Sequence, residues 1–339
     1  MTITLKTRKI LWMRSGGRCS ICKNEVIVDA SSSADDPSVV ADEAHIVARK
    51  ETFTRGDFDA LTPEQRDQYS NLILLCKVHH KVIDDQPAFY TVERLREIKA
   101  KHEDEVRSKW TDADTTRMRD EEIYAGYIDE WVKRSYLENW DGLSSCVTSS
   151  DTPWIPQEWY ASSKELLVWI IGRIWPHRYP GLESAVLNYK AVLHDFLNVF
   201  DRHINTDNRS DNFVRTDKFY RIENYDPDLY HRLLEEYGAH ECLVCDLFFE
   251  LTRAANYVCD HVRQSLFSGF RLQEGALLIL RGCVGWQLET VRARVEYRDK
   301  ERTEFPYPGL KKFKTVRYER DYALDPRPMR PPLSDDEET

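Results

Sequence analysis

The chain has 339 residues, of which 41% are hydrophobic and 31% charged, and its formal net charge at pH 7 is −10. This length and hydrophobic content suffice for two domains with cores of their own, and no apolar run reaches the ~20 residues that a membrane span needs. Residues 1–9 are polar and basic and lack the apolar stretch of a secretory signal, so we expect a cytoplasmic protein without membrane contact. In such a protein, eight cysteines favour metal binding over a disulfide framework.

The N-terminal third predicts short helices and strands. Residues 6–15 are predicted to form a helix, Ala44-His45-Ile46-Val47 has the pattern of a short strand, and Pro63 occupies a favoured first position of another helix. Thr91 is predicted to cap a helix that runs from residue 92 to about residue 110. The mostly polar stretch that follows, residues 111–122, predicts a linker.

The rest of the chain has mainly helical patterning. Apolar residues recur three and four positions apart in three long stretches, 162–175, 182–204 and 226–267. The short apolar run 276–280 and the alternating residues 291–297 then predict a small terminal β element. The last residues, rich in proline and acidic side chains, are predicted to be disordered.

Two pairs of metal-ligand residues enclose about fifty residues of the N-terminal part. Cys19 and Cys22 form a C-x-x-C pair, and Cys76 and His79 form a C-x-x-H pair. Zn²⁺ prefers thiolate and imidazole ligands in tetrahedral sets, and a full set of four protein ligands leaves no open position for chemistry. We therefore predict a structural zinc ion, with ordinary buried thiols and a surface histidine as the alternative.

A second C-x-x-C pair, Cys242 and Cys245, does not predict a second zinc site. On one continuous helix, Cys245 and Cys259 would lie about 21 Å apart, which is too far to share a metal ion. Small thiols buried on an apolar helix face are the better interpretation.

Three further residues, His45, Asn71 and His80, are interleaved with the zinc pairs. Their order over residues 10–105 resembles that of the HNH endonucleases, which share the ββα-metal nuclease fold. Within that family, the run from Asn71 to Asp84 looks most like the HNH domains of bacterial anti-phage defence effectors. The C-terminal half takes no part in the resemblance.

Together the patterning and the resemblance predict an α+β protein. A zinc-stabilised ββα-metal HNH domain would occupy residues 1–110, and a linker residues 111–122. A mainly α-helical regulatory or partner domain with a small terminal β element would occupy residues 123–325. A disordered acidic tail would follow over residues 326–339.

The resemblance implies hydrolysis of DNA phosphodiester bonds by one base and one hard cation. His45 is the candidate base, because imidazole titrates closest to neutral pH. Asn71, by analogy with the family, would hold the His45 ring in its working orientation through its amide or its backbone carbonyl. His80 and Asp84 stand four residues apart on a predicted helix, so both can point at one Mg²⁺ or Mn²⁺ ion.

The predicted cation site departs from the family pattern at one position. Many HNH enzymes carry a metal-binding Asp or His immediately before the base, where this chain has Ala44. Glu43 would project beside His45, about 7 Å away along the strand, and would either bind the metal or orient the base. Asp84 also has an alternative, because the Asp84-Asp85 pair is typical of a solvated turn that stops a helix.

The N-terminal 110 residues are electrically balanced, with 18 basic and 18 acidic side chains, so the acidic excess lies downstream. Basic groups near the zinc pairs and after His45 are predicted to contact DNA phosphates, which would give salt-dependent, sequence-tolerant binding. For any single one of them, a solvated surface position is the alternative. The candidates are Arg14, Arg18, Arg49, Lys50 and Lys81.

Two functions stay open from the sequence. The first is a metal-dependent DNA endonuclease of bacterial defence, gated by residues 123–325 through a regulatory protein partner or a homo-oligomer, because an unrestrained nuclease of low specificity is toxic. The alternative is a non-catalytic zinc-binding module that docks nucleic acid or protein.

Overall fold

In a computed structural model of the protein, the described residues are 3–31, 38–49, 55, 61–149, 152–204, 212–224, 226–281, 291–303 and 305–320. The chain divides into two compact units, Met1–Asp129 and Glu130–Thr339. The predicted acidic tail, residues 326–339, lies outside the described residues. No helix in the described part combines the length and the apolar composition that crossing a bilayer requires.

The first unit combines helices with two short antiparallel strand pairs. Its helices begin at capped positions: the side chains of Thr4, Thr62 and Thr91 each accept a hydrogen bond from a backbone N–H of the first turn. The predicted helix start at Pro63 and the predicted cap at Thr91 are confirmed. In chain order the elements are α1 Leu5–Arg14, β1 Ile27–Val28, β2 Ser38–Val39, β3 Ala41–His45, α2 Pro63–Arg66, β4 Leu72–Cys76, α3 Lys77–Asp85 and α4 Val92–Arg107.

Strands β3 and β4 and helix α3 form the centre of this unit. The two strands pair antiparallel, with Ala41 opposite Cys76 and His45 opposite Leu72, and α3 follows β4 without a loop. The first four residues of β4 are fully buried, because α1 packs near the same strand as α3. His45 is therefore the last residue of a strand that packs on the core of the unit. Cys76 lies at the junction of β4 and α3.

The core of the first unit is aliphatic. It gathers side chains from both central strands and from the helices on either side, and buried apolar surface of this kind is the main source of its stability. The buried members are Leu11, Cys19, Val26, Ala44, Ile46, Val47, Leu72, Ile73, Leu74, Leu75, Ile83, Val92 and Leu95.

Helix α5, Asp112–Ser135, covers the residues that the sequence predicted as a linker, 111–122. The polar composition there is that of a helix surface: Arg117 Nε lies 2.8 Å from Glu121 Oε1, four residues on, and the Thr111 hydroxyl accepts from the Asp114 N–H. The division between the two units falls inside this helix, after Asp129. Composition alone did not separate a charged helix from a loop.

The second unit is mainly helical, with two strand pairs. The long helices lie within a few residues of their predicted positions, whereas β5 and β6 had no prediction. In chain order the elements are α6 Trp140–Thr148, β5 Trp154–Pro156, α7 Gln157–Ile171, α8 Pro180–Asp201, β6 Phe213–Arg215, α9 Pro227–Ser265, β7 Leu278–Arg281, β8 Val291–Arg294 and α10 Leu310–Arg320. Strand β5 pairs with β6, and β7 with β8, both antiparallel.

Helix α9 carries the second cysteine pair. It runs unbroken over 39 residues, so Cys242, Cys245 and Cys259 share one helix, as the sequence argument assumed. Burial raises the pKa of the Cys259 thiol to about 12, as for a thiol with an apolar surrounding. Among the described residues, the group that can hold a metal ion lies in the first unit instead.

Candidate metal and nuclease site

The four predicted zinc ligands converge. Cys19 and Cys22 lie in the turn after α1, Cys76 ends β4, and His79 lies in the first turn of α3. Their ligand atoms all lie within 4.8 Å of one another, with Cys76 Sγ 3.2 Å and Cys19 Sγ 3.7 Å from His79 Nδ1. Three sulfurs and one imidazole nitrogen match the donor set of structural zinc sites, so this group can hold Zn²⁺.

The turn that presents the first pair favours a thiolate. Burial raises the pKa of the Cys19 thiol, but the backbone N–H groups of Cys76 and Cys22 that point at its sulfur outweigh burial and leave the pKa below its ordinary value. Burial and the neighbouring Cys19 raise the pKa of Cys22. Two thiols this close do not both ionise easily without a cation between them, which is what a zinc ion supplies.

His45 ends β3 with its ring against a carboxylate. Its Nε2 lies 2.9 Å from Oδ1 of Asp67, and the two side chains are only 20% and 10% exposed. Asp67 follows α2 directly, and its other oxygen lies 3.6 Å from Nη2 of Arg49. The structure thus gives the candidate base a partner that the sequence did not predict.

The side chain of Asn71 hydrogen-bonds to backbone groups, which differs from its predicted role. Its Oδ1 accepts from the Val47 N–H at 2.9 Å, and its Nδ2 donates to the carbonyls of Val47 at 2.8 Å and Arg66 at 3.0 Å. Its own carbonyl accepts from the Ile46 N–H at 2.8 Å. The prediction that Asn71 orients the ring of His45 is therefore replaced: the amide is buried and fixes the backbone that leaves β3 just after that ring.

His80 lies between two carboxylates. Its Nδ1 is 3.0 Å from Oδ2 of Asp42, and its Nε2 is 3.8 Å from Oδ2 of Asp84. The helix places His80 and Asp84 together as the four-residue spacing predicted. Asp42 had no predicted role, and all three side chains are 36–48% exposed.

Glu43 points elsewhere, contrary to the prediction that it binds the metal or orients the base. Its carboxylate accepts from Trp12 Nε1 at 3.0 Å and pairs with Arg8 Nε at 3.3 Å, both on α1. Side chains alternate along a strand, so Glu43 and Asp42 leave β3 from opposite faces. The face toward α3 belongs to Asp42, and the face toward α1 belongs to Glu43.

Arg55 links the end of β3 to α3. Its Nε donates to the carbonyl of Ile46 at 3.1 Å, its Nη1 to that of Ile83 at 2.6 Å, and its Nη2 to Asp84 Oδ1 at 2.9 Å. Ile46 follows His45 and Ile83 precedes Asp84, so one guanidinium reaches the backbone beside each candidate residue. A single side chain therefore connects the backbone that follows the candidate base with the candidate cation ligand Asp84.

The predicted DNA contacts have protein partners in the structure. Arg14 donates to the hydroxyl of Tyr69 at 3.1 Å, and Arg18 to the carbonyl of Lys23 at 3.1 Å. Arg49 pairs with Asp67, and the exposed Lys81 pairs with Asp85. Lys50 lies outside the described residues.

The sequence did not predict the observed roles of Asp42, Asp67 and Arg55, and these residues left different signals in it. Asp42 stands in the strand of the predicted base, and strand alternation alone would have set it apart from Glu43. Asp67 and Arg55 lie in the long connection between β3 and β4, where no periodicity indicates which side chains return to the strand.

A family model described as HNH endonuclease matches residues 19–86. The match begins at Cys19, ends just beyond α3, and covers less than half of the chain. It confirms the resemblance for these residues, while the likeness to defence effectors stays a prediction. No curated protein matches the chain.

Proposed function

We propose that the N-terminal part of the chain, the predicted ββα-metal domain over residues 1–110, is a zinc-stabilised, metal-dependent DNA endonuclease that hydrolyses phosphodiester bonds. One observation carries the proposal: within the residues that match HNH endonucleases, Arg55 bonds both the carbonyl of Ile46, which follows His45, and the carboxylate of Asp84, which stands one helical turn from His80. A base beside a cation site is the arrangement that phosphodiester hydrolysis requires.

The cation would be held by His80 and Asp84. The donor set fits, because Asp84 Oδ2 and His80 Nε2 face each other at 3.8 Å while Asp84 Oδ1 is occupied by Arg55. Asp42 accepts from Nδ1 of His80, and a carboxylate in that position orients an imidazole ligand and raises its basicity. A bound Mg²⁺ or Mn²⁺ supplies positive charge for the crowded phosphate and the departing 3′ oxygen.

The zinc group would serve structure alone. The four protein ligands would fill a tetrahedral coordination sphere, so no position would be open for water or phosphate. A zinc ion there would tie the turn after α1 to the first turn of α3, where its ligand His79 directly precedes His80, and so would fix the helix that carries the proposed cation ligands.

DNA would be bound mainly through its phosphates. The electrical balance of residues 1–110 permits binding, and the predicted contacts are Arg14, Arg18, Arg49, Lys50 and Lys81. Arg14 is half-buried against Tyr69, so we assign it a partly structural role in this DNA-binding surface. Exposed Lys81 is the better placed of the two for a phosphate.

Residues 123–325 would gate the nuclease in bacterial anti-phage defence, through a regulatory partner protein or a homo-oligomer. Support comes from the second compact unit, Glu130–Thr339, which contains none of the candidate nuclease residues. A test compares cell toxicity of the full chain with that of residues 1–135, each beside its His45→Ala variant. Equal toxicity of both lengths at equal soluble level argues against gating.

Plasmid cleavage tests the nuclease. Purified protein with Mg²⁺ or Mn²⁺ is compared with His45→Ala and with His177→Ala, a control whose side chain is 81% exposed in the second unit, all at equal zinc content. We expect nicking or linearisation by the wild type and by His177→Ala, and none by His45→Ala. Equal cleavage by His45→Ala contradicts the role of His45. If the wild type does not cleave, cleavage by residues 1–135 indicates a gated nuclease, and no cleavage by either length favours the non-catalytic zinc module.

A further inference from the structure

The contact between His45 and Asp67 determines the tautomer of the ring. A carboxylate only accepts hydrogen bonds, so a 2.9 Å contact between Nε2 and Oδ1 places the proton of the neutral imidazole on Nε2. The lone pair then lies on Nδ1. Among the described residues, the group that contacts the His45 ring is this carboxylate.

The short helix that precedes Asp67 is held in place by several hydrogen bonds. Helix α2, which ends one residue before it, has a capping box in which the Thr62 and Gln65 side chains bond each other's backbone N–H. The buried side chain of Arg66 donates to the carbonyls of Ala48 and Leu61, so this helix is tied to the backbone that leaves β3. The backbone that carries Asp67 is thereby tied to the backbone that follows His45.

We propose that Asp67 is the positioning residue of the nuclease, which keeps His45 in the Nε2–H tautomer so that Nδ1 takes the proton of the attacking water. This inference rests on the proposed function. In the step, a water O–H proton moves to Nδ1, the oxygen forms a bond to phosphorus, and the bond from phosphorus to the 3′ oxygen breaks. The 3′ oxygen takes a proton from solvent, Nε2 keeps its hydrogen, and the Asp67 carboxylate stays ionised beside the imidazolium.

An ion pair with Arg49 does not explain why a carboxylate is buried at position 67. The Arg49 contact is longer, 3.6 Å, and its side chain is 51% exposed, so the pair contributes little stability. The contact with His45 is shorter and lies between two mostly buried side chains. A 10% exposed carboxylate needs a close donor, and among the described residues the imidazole N–H of His45 lies at hydrogen-bond distance.

The experiment replaces the carboxylate by its amide in the full-length zinc protein. Asp67→Asn can donate to Nε2 through its NH₂ group and so favour the wrong tautomer, which in a comparable Ser-His-Asp site lowers kcat on the order of 10⁴-fold. We expect kcat for plasmid cleavage to fall at least ~10²-fold, with KM for DNA and zinc content unchanged. Asp104→Asn, an exposed carboxylate on α4, is the matched control.

The second readout does not depend on cleavage. Nitrogen-15 spectra of histidine-labelled protein report the tautomer of His45, whose signals are identified by their loss in His45→Ala. We expect Nε2–H in the wild type and a shift of the ring towards Nδ1–H in Asp67→Asn, with Asp67→Glu, which keeps the carboxylate, restoring Nε2–H.

The outcomes separate this inference from the proposed function. A wild-type ring protonated on Nδ1, or undiminished kcat in Asp67→Asn, overturns the inference and leaves the nuclease standing. Absence of cleavage by both the wild type and residues 1–135 counts against the nuclease, and the tautomer spectra then still decide whether Asp67 sets the tautomer of the His45 ring. If Asp67→Asn loses zinc, the comparison of Asp67→Glu with the wild type decides in its place.

Discussion

Nδ1 of His80 lies 3.0 Å from Oδ2 of Asp42, so the helix that follows the second zinc pair is joined to the strand of the candidate base. This bond occupies one nitrogen of the ring and leaves Nε2 toward Asp84. The family pattern places a ligand at Ala44, on the same strand face as Asp42. In this chain that face would support the proposed cation site through Asp42, two residues earlier.

The two neighbouring carboxylates of β3 should therefore differ in their effect on metal binding. Loss of a carboxylate that orients a metal-binding imidazole typically weakens affinity about 10- to 100-fold. We expect Asp42→Asn to weaken Mn²⁺ binding to that extent, measured by titration calorimetry with the zinc group loaded. Glu43→Gln, which loses only contacts to α1, should leave Mn²⁺ affinity within about twofold of the wild type.

The reverse result would move the cation site to the other strand face. If Glu43→Gln weakens Mn²⁺ binding and Asp42→Asn does not, the ligand is the carboxylate that faces α1 in the structure. Zinc content and thermal unfolding of both variants, measured in parallel, separate loss of a ligand from loss of the fold.

Zinc should stabilise the first unit and not the second. We expect Cys22→Ser to lose zinc and to unfold the first unit, because zinc binding contributes on the order of 10 kcal/mol to the folding of such small modules. Hydrogen exchange followed segment by segment is the measurement, with fast exchange expected in β4 and α3 and unchanged exchange in α9. Cys146→Ser, a thiol of α6 outside the metal group, is the control.

Retention of zinc and of slow exchange by Cys22→Ser would remove this residue from the ligand set. Loss of protection in both units would show that the effect is not confined to the zinc module.

Asn71 should matter for stability as well as for cleavage. Asn71→Ala removes three buried side-chain hydrogen bonds and leaves the Val47 N–H and two carbonyls without their partner, which costs about 2–4 kcal/mol. We expect a lower unfolding midpoint together with loss of cleavage, whereas His45→Ala should lose cleavage alone. Asn198→Ala, an exposed amide on α8, is the control. Full stability of Asn71→Ala would contradict the backbone role.

Short-range spacing made part of the site predictable. Each zinc pair lies within one turn of chain, and His80 and Asp84 lie one helical turn apart, so the spacing alone brings the side chains together. The contact between His45 and Asp67 crosses 22 residues of connection, and its existence depends on where α2 docks. Sequence spacing alone does not predict where α2 docks.

The choice between the two faces of β3 and the start of α5 were likewise beyond what local sequence patterns predict. The sequence indicates that Asp42 and Glu43 point in opposite directions, but the choice between them depends on which face α3 covers. The polar start of α5 was predicted as a linker, because exposed helix and loop share a composition until the spacing of charges such as Arg117 and Glu121 is weighed. In the second unit, long apolar periodicity outweighs such ambiguity for the three long helices α7, α8 and α9, whereas the shorter α6 and α10 had no prediction.

The second unit should lose stability in mild acid through His240. Burial, with the charge of neighbouring histidine and arginine groups, lowers the pKa of His240 from 6.5 to about 4, and its Nε2 has no hydrogen-bond partner. His240 therefore takes up a proton near pH 6.5 in the unfolded chain but only near pH 4 in the folded unit. The stability that the neutral ring permits is therefore fully present above pH 6.5 and is lost as the pH falls from 6.5 toward 4.

The loss should amount to about 2–3 kcal/mol over that range, and hydrogen exchange of α9 against pH measures it. His240→Phe, which keeps an aromatic ring beside His203 and Phe219 but takes up no proton, should flatten most of this dependence. His203 stays in the variant, and burial lowers its pKa as well, so a smaller slope of the same sign should persist. His177→Phe, at an exposed position, should follow the wild type. A wild-type slope in His240→Phe would assign the acid sensitivity of this unit to other groups.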